Sequence, residues 1–154
     1  SQSLDSNLAK AVSTVANLLE KKGGDIVTIR PQESVATAVT LLRERRIGAL
    51  VVTDAAGSLQ GILSERDVVR ELAERGGATL SLSVADLMTR KVVTCAPDER
   101  IIQVLQKMTD GRFRHVPVIA DGALIGLVSI GDLVNHRLRE LEYEALKMKQ
   151  MIVG

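Results

Sequence analysis

The chain has 154 residues, enough for one ordinary domain or for two small ones that share a core. Its 45% hydrophobic and 25% charged residues are the composition of a soluble globular protein, and a formal charge of +1 gives no sequence-wide basic field to attract nucleic acid. Phe113 and Tyr143 are the whole aromatic complement, so the stacking platforms of a single-strand nucleic-acid binder are missing.

Other classes fall away by the same reading. One cysteine, Cys95, rules out an internal disulfide framework and suits a reducing compartment. No apolar run reaches membrane-spanning length, and Ser1–Lys10 lacks the basic-then-apolar layout of a signal peptide, so a cytoplasmic protein is expected. His115 and His136 stand far apart with no cysteine or second histidine at ligand spacing, which argues against a structural zinc site. The common nucleophile, zinc-protease and phosphate-loop motifs are absent, and no enzyme activity is expected.

In chain order, the pattern repeats itself. Val27-Thr28-Ile29-Arg30-Pro31-Gln32-Glu33 returns as Val93-Thr94-Cys95-Ala96-Pro97-Asp98-Glu99, an offset of 66 that holds through Val52 and Val118. The turn Asp54–Gly57 is one residue longer than Ala120–Gly122, and the offset becomes 65 for Gly61/Gly126, Ser64/Ser129 and Asp67/Asp132. In each copy a β-branched run, Ile26–Ile29 or Val92–Cys95, ends before a proline. A helical period follows, on Val35, Ala38, Val39 and Leu42 and on Ile101, Val104, Leu105 and Met108. Next come two apolar strands joined by glycine-containing turns, Ala49–Thr53 with Leu59–Leu63 and His115–Ile119 with Leu124–Val128. A second helix closes each unit, from Glu65 and from Ile130. The order is β-α-β-β-α, an α/β (α+β) class. Units of about 60 residues make poor cores alone, so the two are expected to pack sheet to sheet with pseudo-twofold symmetry.

The expected division is an N-terminal helical lead-in over 1–23, a first domain over 24–76, a linker with a short helix over 77–90, a second domain over 91–137, and a C-terminal helix extension over 138–154. Leu8, Val12, Val15 and Leu19 follow 4-3-4 spacing, and Val134, Leu138, Leu141, Ala145, Met148 and Ile152 follow 4-3-4-3-4. Such seams either pack the terminal helices on each other or on the body, or make a homodimer contact.

The element order, the Gly-x-x-Ser-x-x-Asp at Gly61–Asp67 and Gly126–Asp132, and the strand His115-Val116-Pro117-Val118 resemble the CBS domain, named after cystathionine β-synthase. Two in tandem resemble a Bateman module of the small stand-alone bacterial type, over about Val15 to Arg137. The resemblance implies a non-catalytic regulatory sensor that binds an adenine nucleotide between the two domains. AMP is the first expectation, with ADP, ATP, NAD(H) or S-adenosylmethionine as alternatives and no metal required.

The residues offer a division of labour. Ser64 and Ser129 stand at strand-to-helix junctions, where free helix N–H groups favour a phosphate. Asp67 and Asp132, three residues later, can accept hydrogen bonds from a ribose diol. The same Ser-x-x-Asp is also a capping box, and the two roles are not exclusive for the serines. Arg66 can reach phosphate oxygens, while the second copy has Gly131 there. Arg112, Arg114 and His115 precede the Pro117 strand, where family members place phosphate contacts; solvated charge or an interior histidine are the alternatives. The first half has Gly48–Val51 in that place, so equal occupancy is not expected. Adenine is assigned to apolar walls and backbone groups near Thr28, Ala49, Met88, Val93 and Pro117. The expected partners are the nucleotide, a second copy of the chain and a regulated protein, with no membrane and no nucleic acid. The rival reading is an interaction or dimerisation module whose cleft stays empty.

Overall fold

The structure, a computed structural model, describes residues 13–153; Leu8 and Val12 of the N-terminal seam lie outside them. The elements are α1 (Val15–Lys22), β1 (Thr28–Ile29), α2 (Val35–Arg45), β2 (Ala49–Thr53), β3 (Leu59–Ser64) and α3 (Glu65–Arg75). A 3-10 turn (Gly76–Ser81) follows, then α4 (Val84–Leu87), α5 (Ile101–Gly111), β4 (His115–Ala120), β5 (Ala123–Ser129) and α6 (Ile130–Val153). The chain is a mixed α/β fold of two repeats, β-α-β-β-α in the first and α-β-β-α in the second, with a long C-terminal helix.

Two compact units result. One gathers residues 25–93 and 121–125; the other gathers residues up to 24, 94–120, and those from 126 on. In the first unit β2 is the middle strand, parallel to β1 and antiparallel to β3. All five of its residues are buried, as a strand covered on both faces should be. Val35, Ala38 and Leu42 of α2 and Val68 of α3 pack with Leu50, Val52 and Leu63 to form its core. In the other unit the helical stripe Ile101, Val104 and Met108 is buried, as are Val15, Val116, Val118, Val128 and Leu133.

The lead-in segments dock in matching ways. Val84 and Ala85 donate their backbone N–H groups to Glu33 O and Pro31 O, at 2.8 and 2.9 Å. Val15 and Ala16 donate to Glu99 O and Pro97 O, both at 2.9 Å. Thus α4 settles on the proline turn of the first repeat, and α1 on that of the second.

Two expected strands are shorter than their sequence suggests. The run Ile26–Ile29 pairs as a strand only at Thr28–Ile29, and Val92–Cys95 is reduced to a single parallel bridge, Cys95 to Val118. The second loss has a covalent cause. In the first repeat Val51 N–H donates to Val27 O at 3.3 Å, and the residue 66 further on is Pro117, which has no N–H. The flanking bonds survive, Cys95 N–H to Pro117 O at 3.0 Å and Ile119 N–H to Cys95 O at 2.9 Å.

Gly61 and Gly126 are equivalent positions with different surroundings. A Cβ on Gly61 would meet the backbone oxygen of Thr89 at 2.7 Å and Met88 Sδ at 2.9 Å. On Gly126 it would meet the mobile end of the Leu19 side chain, Cδ2 at 2.8 Å. Gly61→Ala is therefore expected to destabilise by about 1–3 kcal/mol, and Gly126→Ala by clearly less. Chemical denaturation of both variants measures the difference; equal costs would contradict it.

Candidate functional site

Each repeat turns from strand to helix without an intervening loop, which leaves the first N–H groups of the helix in need of partners. In the first repeat Ser64 ends β3 and caps α3. Its Oγ accepts the Asp67 N–H at 3.3 Å, while Asp67 Oδ2 accepts the Ser64 N–H at 2.9 Å and the Ser64 hydroxyl at 3.0 Å. Glu65 N–H donates to Gly48 O at 2.9 Å, holding the junction against β2, where Ala49 pairs with Ser64. These bonds of Asp67 all run through Oδ2. Among the described residues Oδ1 accepts no hydrogen bond, and the side chain is partly exposed.

Around this junction the structure brings together Ala49, Ser64 and Asp67. Met88 packs on the other face of the sheet, with Leu63 in the core and against Gly61, next to a two-bond bridge between Ile62 and Thr89 at 3.0 and 2.9 Å. Arg66 projects from the first turn of α3 and is exposed. Thr28 stands on the far side of β2, paired with Val51 and exposed, at a shallow hollow shared with Asp25, Leu41 and Arg45. Val93 is 44% exposed and outside any strand.

The second junction repeats the cap. Ser129 Oγ accepts the Asp132 N–H at 3.1 Å, and Asp132 Oδ2 accepts the Ser129 N–H at 2.9 Å. Ile130 N–H donates to Arg114 O at 2.9 Å, the counterpart of the Glu65–Gly48 bond. Arg114 is exposed, His115 half-buried and Pro117 buried. Arg112 is the left-handed C-cap of α5, as Arg46 is of α2, with φ of 57° and 53°.

One participant was not visible in the local spacing. Lys22, at the end of α1, places its Nζ 2.5 Å from Asp132 Oδ2 and 2.7 Å from Leu127 O. It lies 110 residues from Asp132, so no motif could announce it. Burial opposes ionisation of Asp132, but the Lys22 ammonium and the Ser129 N–H outweigh burial and hold the carboxyl below its ordinary range. Among the described residues Asp67 has no such cation. The two aspartates are alike as caps and unlike as charges.

The remaining reactive side chains are occupied elsewhere. Burial, reinforced by Glu99, pushes the Cys95 thiol up to about 12. His136 is buried on α6, with Nε2 3.4 Å from Glu140 Oε1; burial lowers its basicity despite that carboxylate. Among the described residues no group of three His, Cys, Asp or Glu side chains is placed to hold a metal ion, and no helix is long and apolar enough to cross a membrane.

The family model described as the CBS domain matches residues 15–74 and 84–139. The chain belongs to the CBS-domain family. It is 34% identical over 150 residues to the mitochondrial CBS domain-containing protein CBSX3 of Arabidopsis thaliana, covering 92% of this chain and 73% of that one. It is 30% identical to Arabidopsis CBSCBSPB2, of which it spans 26%. The crystal structure of a CBS-domain containing protein from Agrobacterium tumefaciens superposes with a TM-score of 0.80 at 46% identity, over 82% of this chain and 94% of that chain. The CBS domain pair of protein MJ0100, solved in complex with 5'-methylthioadenosine and S-adenosyl-L-methionine, superposes with a TM-score of 0.71 at 26% identity, over 80% and 94%.

Two outcomes are expected. Because the Asp132 pKa is depressed in the fold, its contribution to stability is present above the ordinary carboxylate range and is lost as pH falls through the folded value. Lys22→Met should move the Asp132 carboxyl titration, followed by carbon NMR, upward; an unmoved titration would show that Lys22 does not set it. Cys95 should stay inert to a thiol reagent in native buffer and react on unfolding, since the thiolate is the nucleophile.

Proposed function

We propose that this CBS pair is a non-catalytic sensor of adenine nucleotides, AMP foremost, and that Asp67 is its principal ribose ligand. The state of Asp67 carries this reading. Its Oδ2 is fixed by the cap of α3, and its Oδ1 is left with acceptor capacity beside the open end of a helix. A carboxylate so anchored can take a ribose hydroxyl without reorganising the junction, while the exposed Arg66 suits phosphate. Ala49, paired with Ser64, supplies apolar wall on the same side, while Met88 lines the opposite, core face of β3. Both ligands named for the MJ0100 pair are adenosine derivatives, which supports the same ligand class here.

At the second junction the Lys22 ammonium already neutralises Asp132, and Gly131 stands where the first copy has Arg66. The second junction is thus the weaker ribose site, with Ser129 available to phosphate and Arg114, His115 and Pro117 as its flanking contacts. NAD(H) is the alternative ligand.

A thermal-shift screen of AMP, ADP, ATP, NAD+, NADH and S-adenosylmethionine tests the reading. A ligand present at a hundred times its Kd stabilises the native state by about 2.7 kcal/mol. Asp67→Asn keeps an oxygen for the cap and loses the charge. It should weaken the responding nucleotide about tenfold, with a smaller loss for Asp132→Asn. No shift with any of the six, or a shift untouched by both substitutions, would overturn the proposal.

A further inference from the structure

The C-terminal helix carries an apolar stripe that its own unit does not cover. Val134, Leu138, Leu141, Ala145, Met148 and Ile152 are all exposed, Ile152 to 83%. The face that meets the rest of the unit is a different one: Leu133 and His136 are buried, and Glu140 Oε2 accepts the Ser13 N–H at 3.4 Å. From Leu141 to Ile152 every residue except Glu144 is exposed. An unsupported helical segment of that length is marginal in water, and an apolar stripe along it calls for a cover.

The charges beside the stripe indicate which cover. With Leu138, Ala145 and Ile152 at a and Val134, Leu141 and Met148 at d, the g positions are Arg137, Glu144 and Met151, and the e positions are Asn135, Glu142 and Lys149. In a parallel, in-register pair each g residue lies beside the e residue five places on in the other helix. Arg137 then meets Glu142 of the second copy, and Glu144 meets Lys149 of the second copy; twofold symmetry repeats both. The antiparallel pairing with full overlap sets Glu142 against Glu142 and Glu144 against Glu144, which repels. Within its own helix Arg137 Nη1 lies 3.2 Å from Glu140 Oε2 and 4.0 Å from Glu144 Oε1, and its remaining donors are available to a neighbour.

From the stripe and its flanking charges we infer that two copies of the chain associate through α6 as a parallel, in-register coiled coil. The inference is independent of the nucleotide reading. It predicts a dimer of the full chain in sedimentation velocity at micromolar concentration. Leu141→Asp combined with Met148→Asp should give a folded monomer, because both side chains are exposed. Glu142→Lys combined with Lys149→Glu turns every g–e contact repulsive and should raise the dimer dissociation constant about tenfold or more. Ala145→Cys places like residues face to face only in the parallel register, and mild oxidation should link two chains; buried Cys95 does not compete. A monomeric wild type would overturn the inference. A dimer that survives the double aspartate substitution, or an Ala145→Cys protein that fails to cross-link, would overturn it equally.

Discussion

The strand-to-helix junction is the constraint on which both repeats depend. A strand that runs straight into a helix has no loop in which water or turn residues can satisfy the first helical N–H groups. Here one serine and one aspartate do so by exchanging bonds, and the next N–H reaches back to the neighbouring strand. That arrangement fixes where α3 and α6 begin, seats β3 against β2, and orients a carboxylate. The carboxylate is a structural part first. Its suitability for a ligand follows from having two oxygens when the cap needs one.

The duplicated halves have diverged where small chemical changes have large local effects. Pro117 removes one N–H and with it the short edge strand that its counterpart Val51 supports. Lys22 gives Asp132 a cation, and among the described residues Asp67 has none. Gly131 replaces Arg66. None of these changes disturbs the helices or the paired strands β2–β3 and β4–β5, because those rest on apolar periodicity and not on any single donor. Divergence is concentrated in the polar groups near the junctions, where it alters charge without altering fold.

The same distinction explains what could be read in advance. The 65–66 residue offset and the alternation of apolar residues located α2, α3, α5, both hairpins and the starts of α3 and α6 within a residue or two. The run Val92–Cys95 reads as a strand because its residues favour one, but a strand needs a donor opposite, and Pro117 lies far along the chain. Lys22 escaped for the same reason: a contact 110 residues long has no local spacing. The seam on α6 was plain as a pattern. Which face of the helix meets its own unit depends on Leu133 and His136, and periodicity alone did not choose between packing inward and packing on another copy.

The docking of the lead-in segments bears on the order in which the protein can form during synthesis. Residues 25–93 contain almost all of one unit, including the α4 segment that settles on Pro31–Glu33. Helix α1 leaves the ribosome earlier, yet its acceptors are Pro97 and Glu99. Helix α1 therefore waits while the unit behind it condenses, and its amphipathic face stays without a seat until most of the second repeat has been translated. Its two buried anchors, Val15 and Leu18, stay open to a nascent-chain chaperone throughout that interval.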